Sequence, residues 1–176
     1  MRTGLRGFEL MELIDPHFKK NPRPYIIQSL LGLGVFFLVL LLVERMTQVV
    51  IVAALGASGF IVFSMPHSIT ARPRRLIGGH AVGLVSGTAC HLLFSGQLTG
   101  LIEGSTLVTA FGLAVTFALA MFLMAATNTE HPPAAATSIG LFIAGWSWGT
   151  ILFVLLFAVL LAVIHYLLRR YLVDLF

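Results

Sequence analysis

The residues best suited to chemistry lie in one stretch, residues 127–140, between two long apolar runs. An amide, a carboxyl group, an imidazole and several hydroxyls occur there within a few positions. These polar side chains belong to Asn128, Thr129, Glu130, His131, Thr137 and Ser138. Polar groups at membrane depth are costly and tend to mark function. We therefore interpret this stretch as the mouth or floor of a permeation or binding site.

Two consecutive prolines are expected to begin a helix of small residues inside this stretch. Pro132 and Pro133 suit a first helical turn because proline has no amide hydrogen to leave unpaired and its φ is already helical. A short side-chain oxygen just before the prolines can accept from the first free amides. We expect Asn128 or Thr129 to provide this cap.

The first free amides of that helix are expected near Ala134 and Ala135. Their partial positive charge favours a bound anion, and the small alanine side chains let an ion reach the backbone. Thr137 and Ser138 add hydroxyls about one turn further along. For each hydroxyl alone, a bond to a carbonyl of its own helix is the simpler interpretation.

Glu130 and His131 suggest that a proton accompanies the anion. Histidine changes charge near neutral pH, and a neighbouring carboxyl group can exchange protons with it. The alternative is that both residues lie among the lipid headgroups, where they only cap and pair locally. The sequence leaves both interpretations open.

The composition indicates that much of the chain is surrounded by lipid. Of its 176 residues, 58% are apolar and 10% are charged, whereas a soluble domain is about 25% charged. Catalysis in a water-filled cleft is therefore not expected, and we predict no enzyme activity and no cofactor. Cys90 is the single cysteine, so no intramolecular disulfide can form. No nucleic-acid-binding motif is present in the sequence.

No metal site is predicted. His80 and His91 fall on nearly the same face of one predicted helix, but a separation of 11 residues corresponds to about 16 Å. They cannot share an ion. His67 and His131 could approach each other across two loops, but two histidines without further ligands are a weak signal.

Six apolar segments predict an all-α, polytopic membrane protein with about six crossings. They are residues 25–43, 47–65, 76–94, 104–126, 133–145 and 150–168. The fifth segment has 13 residues, about 20 Å of helix, against a hydrocarbon core of about 30 Å. We expect this broken helix to start inside the membrane, where an incompletely paired helix start must line a cavity or be buried in protein.

The distribution of positive charge selects the orientation. With six crossings and a cytoplasmic N-terminal segment, residues 1–24, every Lys and Arg except Arg45 lies on the inside. Residues 25–172 then form a single transmembrane domain. We expect a multi-pass protein of the bacterial inner membrane, with its N-terminus in the cytoplasm.

The loop between the second and third segments is the most basic part of the chain. Arg72, Arg74 and Arg75 follow Ser68 there. The simplest interpretation is a positive-inside signal that touches anionic lipid. The functional alternative is a funnel that draws anions toward the helix starts, with Ser68 and Arg72 as binding residues.

Three glycines spaced four apart, Gly79, Gly83 and Gly87, form a small-residue face on the third segment. Such a face lets another backbone approach closely. Packing within one chain is the simpler interpretation, and a subunit contact is the alternative. Because six short spans enclose little volume, we expect a homo-oligomer, formed through this face or another small-residue face.

Three motifs in order resemble the HPP family of integral membrane proteins. They are residues 130–136 (EHPPAAA), residues 55–58 (LGAS), and the run from Pro66 through Arg72-Pro73-Arg74 to Gly78-Gly79-His80. The resemblance covers about residues 20–172. It implies transport of a small inorganic anion, with nitrite as the family-level substrate. The alternative is a membrane scaffold or sensor that transports nothing.

Overall fold

The computed structural model describes residues 15–42, 49–96 and 106–175. Within these ranges the chain is helical, without strands. The α-helices are α1 Pro16–Lys20, α2 Arg23–Leu42, α3 Val49–Ser64, α4 Pro73–Gly96, α5 Thr106–Thr127, α6 Pro132–Ala144 and α7 Trp148–Leu168. A 3-10 helix, Ile69–Ala71, precedes α4.

The helices α2 to α7 agree with the six predicted segments to within about three residues at each end. Three of them, α4, α5 and α7, are long and apolar enough to cross a membrane. The apolar parts of α2, α3 and α6 are shorter. The all-helical membrane class is thereby supported, while the number of crossings stays a prediction.

Helices α3, α5 and α7 end close to the points where α4 and α6 begin. Residues 65–72, residues 128–131 and the tail 169–175 meet at this end of the bundle, which we call the polar end. There Leu175 N donates to Ser64 O over 2.9 Å, and Arg74 Nη2 donates to Thr127 O over 3.2 Å. All lysines and arginines in the described ranges lie at or next to this end.

Helix α4 packs against α5, α6 and α7, and α6 in turn packs against α3. The apolar core between these helices includes Leu55, Leu76, Leu141, Val154 and Leu161, each almost fully buried. Burial of such side chains stabilises the fold by about 1.5–3 kcal/mol each. The outer faces are also apolar, as expected for a protein surrounded by lipid.

The glycine face of α4 packs against α6 of the same chain. A Cβ atom on Gly79 would lie 2.6 Å from His131 Cβ, and one on Gly87 would lie 2.5 Å from Ser138 O. A Cβ on Gly83 would overlap the carbonyl of Ala134. The simpler interpretation, packing within one chain, is therefore confirmed. The alternative of a subunit contact through this face is wrong, because α6 already covers it.

Helix α6 begins beside Gly79, six residues after the start of α4. At 1.5 Å per residue, α6 starts about 9 Å inside the polar end of the bundle. The two helices then run parallel, with Gly83 beside Ala134 and Gly87 beside Ser138. Because glycine has no side chain, the backbones approach closely enough to fix the depth at which α6 starts.

Candidate functional site

The start of α6 is closed by packing. Its N-cap is His131, which makes no side-chain capping bond, and Ala134 N donates to His131 O over 2.9 Å. Ala134 is fully buried and Ala135 is 8% exposed. The predicted cap from Asn128 or Thr129 is wrong, and so is the prediction of an open Ala134 amide, because that amide is paired within its own turn.

Instead, four buried side chains from three helices meet beside this helix start. Ser58 of α3, His80 of α4, Thr137 of α6 and His131 each have no exposed surface. Ser58 Oγ lies 2.9 Å from Nε2 of His80 and 2.9 Å from Nε2 of His131. His80 Nδ1 lies 3.0 Å from Thr137 Oγ1. We call these four residues the histidine network.

The 3-10 helix connects this network to the polar end. His131 Nδ1 lies 3.0 Å from the carbonyl oxygen of Thr70. His80 is seven residues into α4 and Ser58 is six residues from the end of α3, so the network lies about 10 Å inside the bundle. Every ring nitrogen of the two histidines therefore has a partner, as buried polar groups require.

A second cluster holds the loop 128–131 against the start of α4. Arg75 Nη1 donates to the Glu130 carboxylate, and Arg75 Nη2 donates to Asn128 Oδ1. Asn128 has a φ of 54°, in the left-handed region where asparagine is better tolerated than most residues. We call Arg75, Asn128 and Glu130 the loop clamp. The side-chain oxygens of the predicted site residues Asn128 and Glu130 therefore have a hydrogen-bond partner in Arg75, and neither residue belongs to the histidine network.

The remaining predicted residues serve local structure. Ser68 Oγ accepts from Thr70 N over 3.3 Å, and Arg72 ends the 3-10 helix with an exposed side chain. Thr129 Oγ1 lies 2.7 Å from Thr127 Oγ1. Ser138 Oγ donates to Ala135 O over 2.7 Å, which agrees with the simpler interpretation of that hydroxyl.

An apolar crevice of about 270 Å³ opens beside His131, between α5 and the start of α6. One lining residue is Glu130, whose side chain is 42% exposed. The crevice is lined by Phe117, Met121, Met124, Ala125, Glu130, His131, Pro132 and Ala135. One of these lining residues, His131, also belongs to the histidine network.

No metal centre is found in the described ranges, where no three histidine, cysteine or carboxylate residues come together. His131 approaches His80, with ring centroids 5.2 Å apart. His67 instead lies beside Asp174, with Nδ1 3.5 Å from Oδ1. Two imidazoles and two hydroxyls are a poor ligand set for zinc, which prefers four nitrogen or sulfur ligands.

Two members of the histidine network, Ser58 and His80, were not among the predicted site residues. Each is the one polar side chain buried at the end of a motif that the sequence shows, residues 55–58 and residues 78–80. A lone serine on an apolar helix usually bonds to its own backbone, as Ser58 also does with Ala54 O. Only the packing of three helices brings the motifs together.

Comparison with known proteins agrees with the membrane character of this bundle. A family model described as the HPP transmembrane region matches residues 19–173. A transmembrane protein of Dictyostelium discoideum is 33% identical over 90 residues, which is 51% of this chain and 29% of the relative. The match therefore spans less than a third of that relative's length. No solved structure matches the chain.

Proposed function

Because the chain belongs to the HPP transmembrane-region family, we propose that it carries a small inorganic anion across a membrane together with a proton. The supporting observation is the histidine network, a set of buried polar and ionisable side chains between apolar helices. Such groups are rare at membrane depth and are typical of substrate and proton pathways. Nitrite is the first candidate substrate, from the resemblance of the motifs.

The charge of the network favours an anion as the partner. The described residues place no carboxylate in hydrogen-bonding contact with either ring, and the nearest one in sequence, Glu130, pairs with Arg75. A proton taken up by His80 or His131 therefore creates a buried positive charge. Such a charge is costly unless it is paired. A small anion supplies the pair, so proton and anion stabilise each other in the site.

The polar end is the proposed side of entry from the cytoplasm. Arg72 and Arg74 are exposed there and raise the local concentration of anions. The network itself is closed, so the loop 128–131 has to move before an ion can reach it. The loop clamp is the proposed gate, since Arg75 holds both Asn128 and Glu130.

The proposal includes the arrangement in the membrane. All six helices α2 to α7 cross it, the polar end faces the cytoplasm of a bacterial cell, and the membrane is the inner one. The charge distribution supports this orientation. A homo-oligomer would use a face other than Gly79, Gly83 and Gly87, and the protein performs no covalent chemistry on its substrate.

Vesicles containing the purified protein test the proposal. Entry of nitrite, nitrate, formate and bicarbonate is measured against empty vesicles of the same lipid. We expect at least one of these anions, nitrite first, to enter several-fold faster with the protein present. Entry of all four at the rate of empty vesicles would contradict anion transport.

A scaffold or sensor is the second candidate, and one observation favours it. The first turn of α6 is packed tightly against the α4 glycines, as in a rigid packing element. In that case substitutions in the histidine network would lower the stability of the protein, and the wild type itself would show no anion flux. The vesicle measurement separates the two candidates.

A further inference from the structure

The hydroxyl of Ser58 has more polar neighbours than one hydrogen can serve. Its oxygen lies 2.9 Å from His80 Nε2, 2.9 Å from His131 Nε2 and 3.0 Å from the carbonyl oxygen of Ala54. A hydroxyl donates one hydrogen and accepts two. The position of each hydrogen in the histidine network can therefore be inferred from which atoms can donate and which can only accept.

In the uncharged network one arrangement of the hydrogens pairs every ring nitrogen, as buried polar groups require. The carbonyl of Thr70 can only accept, so the single hydrogen of neutral His131 lies on Nδ1 and its Nε2 is an acceptor. Ser58 must then donate to His131 Nε2. Its oxygen can only accept from His80, so the hydrogen of neutral His80 lies on Nε2. His80 Nδ1 accepts from Thr137, and the Ala54 contact of Ser58 is left without a hydrogen.

One added proton completes the arrangement without moving a heavy atom. With a hydrogen on each nitrogen of His131, both Nε2 atoms donate to Ser58 Oγ. The Ser58 hydroxyl then rotates away from His131 and donates to Ala54 O. All three contacts of Ser58 now contain a hydrogen. A second added proton would place two cations on rings whose centroids are 5.2 Å apart, where they repel each other.

We propose that Ser58, His80 and His131 form a binding site for one proton, with the Ser58 hydroxyl turning from His131 to the Ala54 carbonyl when the proton arrives. The serine is a positioning residue, because it accepts from both rings only in the loaded state. The role of this site in transport rests on the proposed function, but the site itself does not.

Few other charges face these rings. Helices α3, α5 and α6 contain no ionisable side chain. Helix α7 contributes His165, which contacts Pro66 O over 2.7 Å, and the exposed Tyr166. Cys90 and His91 lie toward the far end of α4. The loops and the start of α4 at the polar end carry His67, Arg72, Arg74, Arg75 and Glu130, and the tail adds Arg169, Arg170, Tyr171 and Asp174. None of these nine groups is a hydrogen-bond partner of His80 or His131, whose ring partners are Ser58, Thr70 and Thr137.

Nitrogen-15 NMR of the full chain in detergent, with labelled histidine, tests the proposal without any transport measurement. Signals are assigned with His80→Gln and His131→Gln. At neutral pH we expect opposite tautomers, hydrogen on Nδ1 for His131 and on Nε2 for His80. Acidification should load one proton on the pair before the fold is lost. The same tautomer on both rings, or uptake of two protons in one step, would overturn the proposal.

The Ser58→Ala variant, with Ser86→Ala as the matched control, isolates the hydroxyl. Ser86 is also fully buried, but its hydroxyl donates to Val82 O of its own helix over 2.8 Å. We expect Ser58→Ala to mix the tautomers of His80, because its other partner, the Thr137 hydroxyl, can donate or accept. His131 should keep its hydrogen on Nδ1, facing Thr70 O, and Ser86→Ala should leave both rings unchanged. Fixed, opposite tautomers in Ser58→Ala would contradict the role of the hydroxyl. The wild-type spectrum decides the proposal by itself if Ser58→Ala does not fold.

The two proposals fail in different ways. Opposite tautomers and a single bound proton in a protein that moves no anion would refute transport and keep the proton site. Anion flux in a protein whose histidines share one tautomer would refute the proton site and keep transport.

Discussion

The rings of His80 and His131 face each other across a single hydroxyl group, with their centroids 5.2 Å apart and Ser58 Oγ bonded to both. They come from parts of the chain 51 positions apart. Glycine at position 79 makes this approach possible, since a Cβ atom there would lie 2.6 Å from His131 Cβ. The glycine face of α4 is therefore needed for the histidine network, because the close packing at Gly79 sets the depth at which the polar groups meet.

We expect Gly83→Ala to lower the free energy of unfolding by about 1–3 kcal/mol, because the added methyl group overlaps the Ala134 carbonyl, which is backbone and cannot rotate away. The measurement is thermal unfolding in detergent. Gly59→Ala in α3 is the matched control, since a Cβ there meets nothing within 4 Å. The higher helix propensity of alanine at position 59 should raise the free energy of unfolding by up to about 1 kcal/mol. Equal unfolding temperatures for both variants would show that α4 and α6 are not packed as described.

Gln28 should hold the C-terminal tail against the bundle. Its amide donates to Phe63 O and to Val173 O, and its oxygen accepts from Val173 N over 2.9 Å. Gln28→Ala leaves these buried groups unpaired, at a cost of about 2 kcal/mol. We expect much faster hydrogen exchange at the Val173 amide. Ser29→Ala, at an exposed neighbouring position, should leave that exchange unchanged, and slow exchange in both variants would refute the anchoring role.

The contact between α1 and α2 should weaken in acid. Hydrogen bonds from the Tyr25 hydroxyl, and then from the His17 amide, lower the pKa of Asp15 below its usual value. Stability from a lowered carboxyl pKa is present above the unfolded value of about 3.9 and is lost as pH falls through the folded value. We expect the His17 amide signal to change only below the usual aspartate range. In Asp15→Asn this acid transition should disappear, and its persistence would assign it to another group.

Glu130→Gln should leave the pH dependence of anion flux unchanged, because the proposed proton site is the histidine pair. The Arg75–Glu130 pair is partly exposed, with the Glu130 side chain 42% accessible, so its loss should cost less than about 1 kcal/mol. Because Glu130→Gln weakens the loop clamp, it should change the rate of anion flux rather than the pH at which the flux is half-maximal. A displaced midpoint in the flux profile would make Glu130 the proton carrier instead.

The helices could be predicted from the sequence because their apolar runs are long and their ends are marked by proline and charge. From the shortness of α6 we predict that it starts inside the membrane. The structure places its start beside Gly79 rather than level with Pro73, and the depth in the membrane stays a prediction. These features are local, or follow from length alone. The glycine spacing showed a close contact but not whether its partner lay in the same chain.

The histidine network could not be predicted in the same way, because its members are joined only by tertiary packing. Thr137 was expected to bond to its own helix, but the approach of α4 brings His80 Nδ1 within 3.0 Å of it. The predicted cap at Asn128 is wrong because the N-cap is His131, three residues later, while the Asn128 oxygen accepts from Arg75. In both cases a partner distant in sequence replaces the local partner that the pattern favours.

Proton movement driven by an anion gradient tests the central claim most directly. Vesicles loaded with a pH-sensitive dye and containing the protein are given an inward nitrite gradient, and the acidity of the lumen is followed. We predict that the lumen acidifies faster than in empty vesicles and that His131→Gln reduces this difference at least tenfold. His17→Gln, a change at an exposed side chain outside the network, should retain it. Nitrite entry without proton movement, or equal acidification in His131→Gln and the wild type, would contradict the account.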